Sequence, residues 1–188
     1  MQPGCSATWL QDYGIGGNRL LATTGAAIAV AAAAWPAAGA TEPTLGPGDR
    51  IGAMTLAQLG FADTIPSIFP SCDPLIRAPG LYHRHCSVPS TRRLFVGWGT
   101  FKATFPALER VWQRERWRLR VDGHEIRLGA FGTDDRTLYN YPLGAYRNSI
   151  LREWRVALLH PSRGRHLIRY VVRDGSEVTD VTFTVRIR

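Results

Sequence analysis

Residues 164–187, which read GRHLIRYVVRDGSEVTDVTFTVRI, decide the fold. In the second half of this stretch, apolar and polar residues alternate, with Val181, Phe183, Val185 and Ile187 on one face and Thr182, Thr184 and Arg186 on the other. Strict alternation predicts β-strands that are buried on one side. Asp174-Gly175-Ser176 indicates a turn, so we expect a hairpin of two long strands.

Further alternating segments precede this hairpin. Residues 117–121 (WRLRV) and 124–128 (HEIRL) flank Asp122-Gly123. An Asp-Gly pair between alternating runs is a strong hairpin signal, because both central turn residues need a positive φ. Residues 94–99 and 154–159 predict two more strands from their β-branched and aromatic residues. Short strands separated by turn signals predict an antiparallel sandwich or barrel.

A helix is predicted at residues 105–116. Pro106 suits its first turn, and Leu108, Val111 and Trp112 share one face. The predicted fold class is therefore mainly β: an antiparallel β-sandwich at 94–188 with one short helix, entered through a Pro- and Gly-rich loop segment at 41–93. From residue 51 onward we expect this segment to form loops with one or two short strands, and residues 56–60 predict a helical turn.

A family resemblance lies in the C-terminal hairpin. Gly164-x-His166-x-Ile168-x-Tyr170-x-Val172, followed by Asp174-Gly175, resembles the closing hairpin of bacterial immunoglobulin-like and fibronectin-type-III-like modules. The resemblance covers about 30 residues. It implies an immunoglobulin-like sandwich with a binding or spacer role, and it brings no catalytic residue.

The alternation also predicts the core. We expect inward side chains at Trp117, Leu119, Val121, Trp154, Val156, Ile168, Tyr170, Val181, Phe183 and Val185. Trp98 and Trp112 are expected to pack there too, because each lies in a periodic apolar pattern.

A polar loop is predicted at residues 132–149, and it holds the candidate ligand contacts: Tyr139, Tyr141, Tyr146, Arg136 and Arg147. Flat rings with hydroxyls suit contacts to sugars or peptides, and loops on a rigid sandwich commonly carry binding sites. Asp134-Asp135 in this loop predicts a turn stabilised by aspartate side chains, with a calcium site as the alternative.

Cys72 and Cys86 flank a segment rich in Pro, Gly and His. In an exported protein two cysteines usually pair, and closing a loop of about 15 residues stabilises by roughly 3 kcal/mol. The alternative is a zinc or copper site made by His83, His85 and both thiolates. The spacing matches no standard zinc pattern, so we predict the disulfide, no metal and no cofactor.

The N-terminal segment predicts an export signal at residues 1–40. Arg19 precedes an uncharged run at 20–34, and Pro36 and the small residues Ala38 and Ala40 follow it. This order is typical of a signal peptide cleaved between Ala40 and Thr41. A retained anchor is the alternative, although a span needs about 20 strongly apolar residues. We expect a secreted or extracytoplasmic protein without a membrane span after cleavage.

The chain is basic, with 23 Lys and Arg against 15 Asp and Glu residues and a formal net charge of +8. Such a surface attracts anionic polymers, whereas the lack of a run of five basic residues disfavours nucleic acid. The predicted partner is an anionic cell-envelope polymer, a glycan or a surface protein. A solvated basic surface without a ligand is the alternative, and the oligomeric state stays open.

The sequence contains no Gly-x-Ser-x-Gly, His-Glu-x-x-His or phosphate-loop pattern. His166 is interpreted as a hydrogen-bonded strand-edge residue, since a general base needs a nucleophile within reach. We therefore predict a non-catalytic exported protein that binds a partner or polymer. Two alternatives stay open: a small secreted hydrolase or metal-dependent enzyme whose site forms only in three dimensions, and a structural spacer.

Overall fold

A computed structural model describes residues 43–59, 66–72, 76, 78–139 and 148–188. These residues belong to one unit, Ala40–Arg188. The predicted signal peptide lies outside them, as do Tyr141, Tyr146 and Arg147.

The described chain is mainly β, as predicted. Its strands are β1 (Arg50–Ile51), β2 (Met54–Gln58), β3 (Gly80–Val88), β4 (Arg93–Phe95), β5 (Gly99–Lys102), β6 (Arg116–Val121), β7 (His124–Ile126), β8 (Thr133–Leu138), β9 (Ser149–Trp154), β10 (Val156–Leu159), β11 (Gly164–Asp174) and β12 (Glu177–Ile187). The helices are α1 (Phe69–Cys72), α2 (Phe105–Arg114) and a 3-10 helix at Leu128–Ala130.

The described strands form three sheets. Their strand orders are β3-β12-β11-β6-β7, β1-β2-β10-β4 and β5-β9-β8. Neighbouring strands run antiparallel, except that β3 runs parallel to β12. The chain passes directly between the two smaller sheets twice, from β4 into β5 and from β9 into β10.

The predicted C-terminal hairpin is confirmed. Strands β11 and β12 pair from Gly164 opposite Ile187 to Asp174 opposite Glu177. The turn contains Gly175, whose φ of +60° suits a residue without a Cβ. The apolar face of β12 is buried, so a one-residue slip would expose it and the alternation fixes the register.

The predicted Asp-Gly hairpin is also confirmed. Asp122 and Gly123 have φ values of +48° and +88° and join β6 to β7. Leu119 pairs with Ile126 across the two strands, and both are buried. The hairpin therefore places β6 beside β11 with its apolar face inward.

The predicted core is confirmed. Eight of its ten residues are buried, while Trp117 and Trp154 are half-buried and pack against the others. Trp98 lies at the centre, edge-on to Tyr170 at 5.3 Å between ring centroids. The buried Tyr170 hydroxyl donates to the Val96 carbonyl at 2.5 Å, which satisfies the one polar group of that ring.

Helix α2 begins as predicted and ends two residues earlier, at Arg114. Thr104 caps it, because its hydroxyl accepts from the Ala107 amide at 3.4 Å. Leu108 is fully buried, and Trp112 packs 5.1 Å from Trp154. The predicted apolar face of the helix therefore covers the edge of the core.

The strand predicted at 94–99 is interrupted between β4 and β5 by a close approach of two backbones. A Cβ on Gly97 would lie 1.8 Å from the Trp154 carbonyl oxygen, and one on Gly99 would lie 1.8 Å from the Arg152 carbonyl oxygen. Only glycine fits there. The chain can therefore pair with β10 on one side of the break and with β9 on the other.

Three local predictions are wrong. Residues 54–58 form strand β2 instead of a helical turn, because Leu56 pairs with Leu158 in β10 and is buried. Residues 133–138 of the predicted loop form strand β8, which pairs with β9. Asp134 and Asp135 therefore lie in a strand and make no turn. Strand pairing overrode local sequence preferences in each case: β2 pairs with the distant β10, and β8 pairs with β9 across the connection that follows it.

Candidate functional site

The outward side of the five-stranded sheet is densely basic. Alternation sends the apolar residues of β6, β11 and β12 inward, and the intervening positions face solvent. Seven of these positions are arginines, which we call the basic face: Arg116, Arg118, Arg120, Arg165, Arg169, Arg173 and Arg186.

Arginines lie directly opposite one another on neighbouring strands of this face. The opposed pairs are Arg116 with Arg173, Arg120 with Arg169, and Arg165 with Arg186. Like charges in directly opposed positions destabilise a sheet. Folding stability alone therefore gives no reason for this arrangement.

Two carboxylates partly neutralise the face. Glu125 on β7 accepts from Arg118 and Arg120 at 2.8 Å each, and Asp180 accepts from Arg169 at 2.9 Å. Burial alone would raise the pKa of Glu125, but the two guanidiniums outweigh it and the pKa is lowered. Positive charge remains in excess, since the outward positions of the described strands carry seven arginines and two carboxylates.

The basic face continues into β3 at the sheet edge. His83 and His85 are exposed there, beside Thr182 and Thr184 of β12. A depression of about 700 Å3 opens where β3, β12 and β11 meet, and it is lined by His85, Cys86, Ser87, Gly164, Arg165, Thr184 and Arg186. Among the described residues, Arg165 and Arg186 have no ion-pair partner.

The predicted disulfide is confirmed. Cys72 of α1 and Cys86 of β3 are bonded, with their Cα atoms 4.9 Å apart. The alternative metal site is wrong, because both sulfurs are in the bond and neither is a thiolate. Within the described ranges, no group of three His, Cys, Asp or Glu residues could hold a metal ion. The bridge fixes the edge strand of the basic face to α1.

A Ser-His-Asp arrangement lies behind the basic face, and sequence reasoning did not connect its members. His166 is buried on β11, and its Nδ1 lies 2.7 Å from Asp122 Oδ2. Its Nε2 lies 3.4 Å from Ser162 Oγ and 2.8 Å from the Ser162 carbonyl oxygen. The turns at 122–123 and 161–164 bring these groups together, and the alternating pattern does not reveal such a contact between turns.

The hydrogen bonds of His166 determine what it can do. A carboxylate and a carbonyl oxygen only accept, so this geometry calls for a donor at each ring nitrogen and favours the protonated imidazole. The hydrogen bond to Asp122 raises the pKa of His166 in spite of burial. An imidazolium has no lone pair to take a proton from the Ser162 hydroxyl. The hydrogen bonds of His166 to Asp122 and to Ser162 therefore connect the turn at 122–123 with the turn at 161–164.

Glu153 on β9 is a second unusual ionisable group. Its side chain is 3% exposed, and its Oε1 has no hydrogen-bond partner among the described residues. Burial raises its pKa to about 8, opposed by the charge of Arg136 and reinforced by that of Asp134. The carboxyl is therefore mostly protonated at neutral pH, and its burial keeps any ligand from reaching it.

Only part of the predicted tyrosine site lies among the described residues. Tyr139 is 77% exposed, as a ligand contact requires. Arg136 is half-buried in β8, and its charge acts on the pKa of Glu153. Whether these two side chains join Tyr141, Tyr146 and Arg147 in one site stays a prediction.

The basic face was not among the predicted sites, although its signal is present in the sequence. Arginines at 116, 118 and 120, and at 165, 169 and 173, keep an even spacing that puts each set on one side of its strand. The missing information was which strands are neighbours. Only the pairing of β6 with β11, and of β11 with β12, brings the two sets together.

Comparisons with known proteins add no identification. No family model and no curated protein matches the chain. Among solved structures, it is similar to amebosin in solution, at 10% sequence identity and a TM-score of 0.26, over 58% of this chain and 99% of amebosin. So low a TM-score supports no argument about fold or function. Within the described ranges, no helix is long and apolar enough to cross a membrane.

Proposed function

We propose that this protein is an exported, non-catalytic β-sandwich protein that binds an anionic glycan polymer, outside the cell or at its surface, through the basic face. The observation that carries the proposal is the set of three opposed arginine pairs. Their mutual repulsion is relieved when a polyanion lies across the strands, so the arrangement favours the bound state. The disulfide supports export, since such bonds persist in oxidising compartments.

The strand order supports an immunoglobulin-like sandwich. The sheet order β12-β11-β6-β7 follows the G-F-C-C′ order of variable-type immunoglobulin domains. The two smaller sheets fit as well. β4 pairs with β10 and β5 pairs with β9, as strand B pairs with strand E in an immunoglobulin domain. β8 pairs with β9, as strand D pairs with strand E. In this architecture the basic face is the outer surface of the larger sheet.

The chemistry of the face favours a glycan over nucleic acid. The outward positions of the five described strands carry no Phe, Tyr or Trp. Single-stranded nucleic acids are commonly held by stacking on aromatic rings, which this face does not offer. Thr182 and Thr184 instead offer hydroxyl groups beside the guanidiniums, as suits a hydroxyl-bearing polymer.

The test is binding of carboxymethyl dextran, with uncharged dextran as the reference polymer. We expect binding that weakens as salt rises, because exposed charges are screened over about 8–10 Å. Replacing Arg116, Arg120 and Arg173 by Gln should weaken binding at least about tenfold, equivalent to roughly 1.4 kcal/mol. The matched control replaces Arg50, Arg92 and Arg110 by Gln. These arginines lie off the basic face, and their replacement removes the same amount of charge.

Equal weakening by both triple variants would contradict a defined site and leave only a diffuse effect of net charge. Tighter binding of a DNA oligonucleotide than of any anionic dextran would establish nucleic acid as the ligand class. Tighter binding of anionic lipid vesicles would establish a membrane surface in the same way. A thermal melt of each variant checks that the fold is unchanged.

A further inference from the structure

The depression at the end of the basic face differs chemically from the rest of that face. Arg165 and Arg186 lie directly opposite each other across β11 and β12, and no carboxylate among the described residues pairs with either. Each of the other opposed pairs includes at least one arginine with a hydrogen bond to a carboxylate or to the backbone. The Arg165–Arg186 pair lacks such a hydrogen bond, and it borders the depression.

Two opposed guanidiniums present more donors than a carboxylate can accept. Each guanidinium offers a planar fork of N–H groups that binds two oxygens at once. A planar carboxylate gives a two-oxygen contact to one fork and leaves a single shared oxygen for the second guanidinium, as Glu125 does with Arg118 and Arg120. A phosphate or sulfate group carries additional oxygens that point in other directions, so both forks can make two-oxygen contacts. His85 adds a ring nitrogen from β3, while the Ser87 hydroxyl already donates to the Arg186 carbonyl oxygen at 3.3 Å.

The size of the depression fits more than a bare anion. Its volume of about 700 Å3 lies within the range of sites that hold whole small molecules. It opens beside Thr184 and beside Gly164, where a Cβ would meet nothing within 4 Å. A sugar unit attached to the anionic group therefore has room next to the arginine pair.

We propose that Arg165, Arg186 and His85 bind the tetrahedral ester group, phosphate or sulfate, of a substituted glycan, with the attached sugar in the depression. This deepens the proposed function and rests on it: the rest of the basic face attracts any polyanion, and the Arg165–Arg186 pair selects polymers with tetrahedral anions over carboxylate polymers. The pair is then the specificity determinant of the surface.

The experiment compares three derivatives of one polymer at matched charge density: dextran phosphate, dextran sulfate and carboxymethyl dextran. The intact protein should bind the better of the two ester polymers about tenfold or more tighter than carboxymethyl dextran, since a second charge-assisted fork adds roughly 1.5–3 kcal/mol. The comparison of phosphate with sulfate identifies which ester the site prefers.

Two variants of equal charge change locate the preference. Arg165→Gln with Arg186→Gln should abolish the preference while carboxymethyl dextran still binds. Arg116→Gln with Arg120→Gln, on strand β6 and outside the lining of the depression, should weaken all three polymers and keep their ratio. Equal affinities in the intact protein, or a ratio that survives the first double variant, would overturn this inference and leave the proposed function standing. Failure of all three polymers to bind better than uncharged dextran would overturn both.

Discussion

Arginines occupy two very different surroundings in this protein. The outward positions of the described five-stranded sheet carry seven arginines and two carboxylates, and three pairs of cross-strand neighbours are both arginines. On the side formed by α2, β8 and β9, one guanidinium has two carboxylates: Arg152 is bidentate to Asp135 at 2.6–2.7 Å and reaches Glu109 at 2.7 Å. Its guanidinium also lies over the Trp112 ring, 5.8 Å from the centroid.

The difference separates charge used for folding from charge available for binding. Arg152 is 17% exposed, and its guanidinium is held by carboxylates within the protein. Arg165 and Arg186 are exposed and unpaired among the described residues. Substitutions in the first region should therefore change stability, and substitutions in the second should change binding.

The largest expected effect concerns Glu153, next to Arg152 on β9. Its pKa is raised to about 8 in the fold, from 4.5, so the folded state holds a proton that the unfolded state loses between these values. The free energy of unfolding should therefore fall as pH rises from about 4.5 to 8, by an amount on the order of 4–5 kcal/mol. Glu153→Gln should remove this contribution to the pH dependence.

Chemical denaturation at half-unit pH steps measures the effect of Glu153. The matched control is Glu177→Gln, an exposed carboxyl on β12, which should leave the pH dependence as it is. Parallel curves for the intact protein and Glu153→Gln would show that burial does not hold the proton on this carboxyl, and the contrast between buried and exposed charge would be lost.

The second prediction compares the two arginine environments directly. Arg152→Gln leaves Asp135 without its bidentate partner and should lower the free energy of unfolding by about 1–2 kcal/mol. Arg165→Gln removes the same charge from an opposed like-charge pair, so it should leave stability unchanged or slightly raised. Urea unfolding of both variants at one pH measures the difference. Equal destabilisation would erase the distinction between the two regions.

The smallest effect belongs to His166, which follows Arg165 on β11 and faces the core. The hydrogen bond to Asp122 raises its pKa, so its stabilisation is complete below about pH 6.5 and is lost as pH rises through the folded value. His166→Asn should flatten the pH dependence in that window. The measurement uses a Glu153→Gln background, in which the stronger pH dependence of that carboxyl is absent. Exposed His83→Asn is the control.

An imidazole titration by NMR gives an independent check on His166. A pKa below the ordinary value of about 6.5 would contradict the doubly donating imidazolium. It would also restore a ring nitrogen that could act as a base toward Ser162.

Alternation predicted the parts of the fold whose partners are near in sequence. The β11–β12 and β6–β7 hairpins follow from period-two patterns and from turn residues such as Asp122-Gly123. Strands β2 and β8 were missed because their partners, β10 and β9, are distant or lie across a long connection. A short segment such as 54–58 has no pattern that separates a helical turn from a strand until its partner is known.

The candidate site was missed for the same reason. Each strand alone shows an ordinary solvent-facing side, and a single arginine row predicts only solubility. The information lies in the register, which places Arg165 opposite Arg186 and Arg169 opposite Arg120. Hairpin geometry predicts the first of these pairs, but the second needs the neighbourhood of β6 and β11, which no local pattern encodes.

The glycines at 97 and 99 have a consequence for ancestry. A side chain at either position would collide with a carbonyl oxygen of the crossing strand. Homologues that keep the fold should therefore keep both glycines, even where most surface residues have changed. The Tyr170 hydroxyl on the Val96 carbonyl is tied to the same crossing. A distant relative, too diverged for whole-chain similarity, should therefore still carry Gly-x-Gly on the early strand and an aromatic hydroxyl on the penultimate one. These residues are the positions at which such a relative can be recognised.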